Sequence, residues 1–95
     1  MIRSEVQAFV ALGSLPDSAA SEAVIQRHEE ALGRIVRPVS LQEAELLLGC
    51  FGPDDCFGMA WTLVHLIESA PQSPLKAKPS PSANPWLSTL WDRAN

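Results

Sequence analysis

The 95-residue sequence has no tyrosine and only three phenylalanines. So few aromatic platforms argue against a single-strand nucleic-acid binder. Basic residues are scarce as well, seven against eleven acids, for a net charge of −4. That balance argues against a general DNA or anionic-membrane binder. Two cysteines cannot build a disulfide scaffold. No uninterrupted apolar run approaches the 18 residues of a membrane span. Long β-branched runs are missing too: Ile35-Val36 is cut by Arg37-Pro38, so no strand is expected. Gly49, Gly52 and Gly58 are wrongly spaced for a phosphate loop, and no Lys-Ser/Thr follows them. Glu5 and Gln7 fall where a signal peptide would begin its apolar core, which predicts a cytoplasmic protein.

What remains is 46% apolar and 19% charged, the composition of a small globular domain. The apolar residues recur at helical spacing. Residues 4–12 carry Val6, Phe9 and Val10 on one side, with Ser4 as N-cap and Gly13 as a left-handed stop. A second helix is expected from about Ser18 to Ile35, capped by Asp17 or Ser18, with Val24, His28, Ala31 and Ile35 as its stripe. Pro38 ends it. Ser40-Leu41-Gln42-Glu43 is a capping box that opens a third helix carrying Leu41, Ala44, Leu47 and Leu48. Gly52-Pro53 breaks the chain, and Asp54 is placed to cap a fourth helix from about Asp55 to Ser69. That helix is apolar nearly all round and should be the buried centre, with Trp61 as its anchor and His65 as a core histidine. Five prolines between Pro71 and Pro85 read as an extended linker. Asn84-Pro85 then starts a short helix whose stripe is Trp86, Leu87, Leu90 and Trp91. Two tryptophans so placed should dock on an apolar surface.

The expected architecture is all-α. Residues 1–70 form one domain of four core helices, arranged as antiparallel neighbours; 71–85 are the linker, and 86–95 the terminal helix. Each helix pair ends near a Pro or Gly break, a pattern of repeats of roughly 40 residues. The linker lets the last helix reach its own bundle or a second copy, so dimerisation by tail exchange is one of two arrangements.

Catalytic and metal chemistry find little support. Cys50 and Cys56, with His28 and His65 distant and single, lack the paired spacing of a zinc site. His65 lies about 13 Å of helical rise from Cys56, too far to activate it within one helix. Asp54 and Asp55 oppose a Cys56 thiolate. No enzyme active site, metal or cofactor is expected. Charge is the sharper signal: between Leu15 and Ala70 there are nine acids and three bases.

The run Phe51-Gly52-Pro53-Asp54-Asp55-Cys56-Phe57-Gly58-Met59-Ala60-Trp61, continuing to Glu68, resembles small bacterial proteins of HEAT-like helix pairs. Among these are immunity proteins encoded beside secreted antibacterial toxins, of the polymorphic-toxin and type VI effector kind. The resemblance covers about residues 15–70. It implies a non-enzymatic cytosolic protein that binds and neutralises a cognate protein toxin, such as a nuclease with a basic surface. Occlusion would then run through acidic side chains, for which exposure and charge select Glu29, Glu30, Glu43, Glu45, Asp54 and Asp55, around apolar contacts near the Gly-Pro turn. The rival reading is a helical adaptor or secretion chaperone that takes a partner helix in an apolar groove, with the Trp86/Leu87/Leu90/Trp91 stripe as its evidence.

Overall fold

A computed structural model describes residues 2–94. It contains five α-helices: α1 (Ser4–Ala11), α2 (Glu22–Gly33), α3 (Leu41–Leu47), α4 (Met59–Glu68) and α5 (Pro85–Ala94). A 3-10 turn, Leu48–Cys50, follows α3. No strand occurs among the described residues, so the chain is all-α. Helix α1 packs on α2 and α3, α3 on α4, and α4 on α5. One apolar core runs through all of them, from Val6 and Phe9 through Leu32, Ala44 and Leu47 to Leu63, Ile67 and Leu90.

The local signals act where both partners are close in sequence. Ser40 accepts from the Glu43 N–H, and the Glu43 carboxylate accepts from the Ser40 N–H at 2.8 Å, which completes the capping box. Gly13 ends α1 at φ 86°. At α5 the Asn84 side chain accepts from the Trp86 N–H at 2.9 Å, just before Pro85.

Where a cap serves a distant segment instead, the helix starts late. Helix α2 begins at Glu22 under a Ser21 cap, not near Ser18. The Ser18 N–H and hydroxyl are both committed to Asp54, across the fold. Helix α4 begins at Met59, four residues after the expected start, because the backbone before it is left-handed. Residue Arg3, not Ser4, occupies the N-cap of α1.

Helix α4 is the buried centre, with Met59, Ala60, Leu63, Val64, Leu66 and Ile67 inside. Two of its residues differ from expectation. Trp61 is 40% exposed, and His65 is exposed. The core histidine is His28, whose Nδ1 lies 3.0 Å from the Val24 carbonyl and whose ring meets the Phe9 ring edge-on.

Helix α5 docks on this chain's own α4. Trp86 stacks on Phe51 (centroids 6.0 Å apart, planes at 12°) and meets Trp61 edge-on at 5.1 Å. The Asn84 amide donates to the Gly52 carbonyl at 2.9 Å. At the other end Arg93 holds Glu68 in a forked pair (2.7 and 3.0 Å) and lies over Trp61. Like ends therefore meet, and α5 runs parallel to α4. Residues 69–84 return the chain over one helix length, about 15 Å. They form neither helix nor strand, and Leu75 is packed against the core midway. The radius of gyration, 12.6 Å, is that of a compact chain of this length, about 12 Å, so the tail is folded in.

Candidate protein-binding surface

The segment before α4 combines the two properties an interface needs, an apolar anchor and a charged rim. Its shape starts at Asp54. One carboxylate oxygen accepts from the Cys56 N–H at 2.8 Å. The other accepts from the Ser18 N–H and hydroxyl at 3.0 and 2.9 Å. These bonds, from Ser18 first and then Cys56, hold the Asp54 carboxyl below its usual range. The 15–18 loop and the 54–58 loop are thereby latched together. Gly52 lets them approach: a Cβ there would overlap the Leu15 carbonyl.

Three consecutive left-handed residues follow, Cys56 (φ 46°), Phe57 (φ 55°) and Gly58 (φ 86°). Only Gly58 adopts this conformation freely; for an L-residue it costs about 1–2 kcal/mol. The run turns alternate side chains in and out. Cys56 is fully buried, whereas Phe57 is 77% exposed, the most exposed large apolar residue among those described. An aromatic ring held in water on a strained backbone is the arrangement from which function is inferred, since neither burial nor propensity accounts for it.

Acids surround this knuckle. Burial first, then Asp54, Asp17, Asp55 and Glu29, push the Cys56 thiol upward. Those four carboxylates therefore lie within electrostatic reach of one point beneath Phe57. Glu29 and Phe57 also border one groove, with Leu32, Gly33, Gly58, Met59 and Thr62. Burial raises Cys50 to about 11. Both thiols are thus protonated at neutral pH and shielded from attack.

The six candidate acids fall into different places. Glu29, Asp54 and Asp55, and Asp17, which sequence reasoning did not select, all lie within electrostatic reach of Cys56. Glu30 borders a separate shallow depression on α2 with Ala23, Gln26 and Arg27. Glu45 is exposed on α3. Glu43 does not belong to the surface at all: it is 2% exposed. Its carboxylate accepts from the Arg3 N–H and Nε at 3.0 Å each, besides the Ser40 N–H. Burial alone would raise its pKa, but the Arg3 guanidinium and the two backbone donors outweigh that and hold it at about 2. Phe57 was not selected either. An isolated phenylalanine normally signals core, and only the Gly58 that follows hints at a left-handed turn.

No group of three or more His, Cys, Asp or Glu among the described residues is placed to hold a metal ion. No described helix is long and apolar enough to cross a membrane. Searched against protein-family models, curated proteins and solved structures, the chain matches none.

Proposed function

We propose that this protein is a non-enzymatic protein-binding module whose anchor is Phe57 and whose rim is Asp17, Glu29, Asp54 and Asp55. The observation that carries the reading is the 77% exposure of Phe57 on a left-handed backbone among four carboxylates. Such a knuckle fits a protein partner with an apolar socket flanked by Lys and Arg. The aromatic ring supplies buried area, and the carboxylates steer association. In its most concrete form the module is an immunity protein that acts in the cytoplasm and occludes a basic toxin surface. The α1–α2 and α3–α4 helices then serve as two HEAT-like pairs, a reading supported by the packing of each pair. The stripe that motivates the adaptor reading is engaged within the chain, since Leu90 is buried and Trp86 and Leu87 pack on the core.

The test is affinity capture from the native host with wild type and Phe57→Gly in parallel, at low and high salt. The reading expects one protein with a basic surface, retained by wild type, lost from the variant, and weakened as salt shortens electrostatic range. A partner retained equally by both forms refutes the anchor.

A further inference from the structure

The Phe57 knuckle requires an apolar socket beside basic residues, and the chain itself carries one at the far end of α4. A cavity of about 250 Å³ opens where the end of α4, the 70–75 segment and the end of α5 meet. Its floor is Ile67 and Leu90, which belong to the core. Its sides are Ala70, Pro74 and Leu75, all half-buried, with Pro71 exposed at the mouth. Glu68 also borders it but brings no free charge, because Arg93 holds both of its oxygens. An apolar cavity of about 150 Å³ is enough to accept benzene, so a phenyl ring fits here. Lys76 follows Leu75 directly and Lys78 lies two positions on. Both are exposed, and neither enters an ion pair among the described residues. Phe57 precedes α4 and the cavity follows it, so about 15 Å of helix keeps the ring from its own socket.

We propose that this cavity is the socket for Phe57 of a second copy of the chain. The inference rests on the reading of Phe57 as an anchor and gives that anchor a second place to dock. The ring then leaves water for the Leu75 and Leu90 surface. The rim of Asp17, Glu29, Asp54 and Asp55 comes against Lys76 and Lys78 of the other copy. A net charge of −4 makes copies repel on average. Attraction therefore selects this one orientation, acids of one copy against lysines of the next. Each copy offers one knob and one socket, so the contact is heterologous. Two copies close by exchanging both contacts, or further copies add in line. Self-docking covers Phe57 and so competes with the protein partner.

The test is sedimentation of the full chain from about 10 μM to about 1 mM, at low and high salt. The proposal expects a mass that rises above the monomer with concentration, with Kd of the order of 100 μM at low salt and weaker at high salt. Phe57→Gly removes the knob, and Lys76→Glu with Lys78→Glu reverses the socket's charge. Each should weaken association at least about tenfold. Mixed together, the two variants should associate again, because the intact socket of the first accepts the intact knob of the second. Ala70→Trp fills the cavity and should behave as the lysine variant does; if it unfolds, the lysine variant still decides. Glu45→Lys, outside both surfaces, should associate as wild type. A wild-type chain that stays monomeric at 1 mM, a Phe57→Gly chain that associates equally, or a mixture no stronger than its components overturns the proposal. Should partner capture be lost with Phe57→Gly while the wild type stays monomeric, the binding module stands and self-docking falls. Should self-association need Phe57 while capture does not, self-docking stands and the partner reading falls.

Discussion

The joint around Glu43 and the loop around Phe57 use acidic residues in opposite ways. At the joint, the Glu43 carboxylate lies inside and accepts from four donors, three on Arg3 and one on Ser40, so that the start of α1 is tied to the start of α3. In the loop, Asp54 latches two surface segments while Asp17, Asp55 and Glu29 remain at the periphery of an exposed ring. One region commits its charge to the fold, each carboxylate oxygen paired with a donor. The other retains backbone strain, an apolar ring in water and uncompensated charge. On the proposed reading, stability and binding are separated in space.

The largest effect should come from breaking the joint. Glu43→Gln leaves the Arg3 and Ser40 donors without an ionised acceptor and should cost about 3 kcal/mol in denaturant unfolding. The same contact sets an acid limit. The Arg3 guanidinium and the backbone donors hold the folded carboxyl at about 2, against 4.5 for an unperturbed glutamate. Its contribution, about 3 kcal/mol at 1.36 kcal/mol per unit, is therefore present above pH 4.5 and is lost as pH falls from 4.5 toward 2. Unfolding measured across that range should lose this slope in Glu43→Gln. Next comes Leu90→Ala, which empties the contact beneath α5 and should cost about 2–3 kcal/mol, read as a lower melting temperature. Unchanged melting would show that α5 adds nothing to the core.

Asp54→Ala cuts the latch and should lower the unfolding midpoint by less than Leu90→Ala does. It should also weaken partner capture, because the Phe57 turn is no longer held to the 15–18 loop. Smaller still is the effect of reversing the rim. Glu29→Lys with Asp55→Lys should change unfolding by less than about 0.5 kcal/mol. The association rate at low salt should nevertheless fall, with dissociation little changed. A large stability loss there would mean that these acids belong to the fold as Glu43 does.

Much of the helical pattern was legible because its causes are local. The Ser40–Glu43 box, the Gly13 stop and the Asn84-Pro85 start each involve residues a few positions apart. The errors arise where a distant segment competes. Ser18 looks like a cap but is bonded to Asp54. Glu43 looks like surface because its chief partner, Arg3, lies 40 residues away. Trp61 looks like core, yet it shares a half-exposed cluster with Trp86 and Arg93, brought there by α5. The knuckle itself was legible only as a Gly-Pro turn with acids. Nothing in the composition places a phenylalanine at positive φ, since that conformation is imposed by the Asp54 bonds and by Gly58 beyond it.

The separation of binding from stability is tested most directly at Phe57. Glycine adopts the left-handed conformation without steric cost. Phe57→Gly should therefore raise unfolding stability by about 1 kcal/mol. In the same protein preparation, affinity for the captured partner should fall at least about tenfold. Stability up with binding down is the result the account predicts. Stability down by a comparable amount, with partner affinity unchanged, would show that Phe57 is a packing residue and would contradict it.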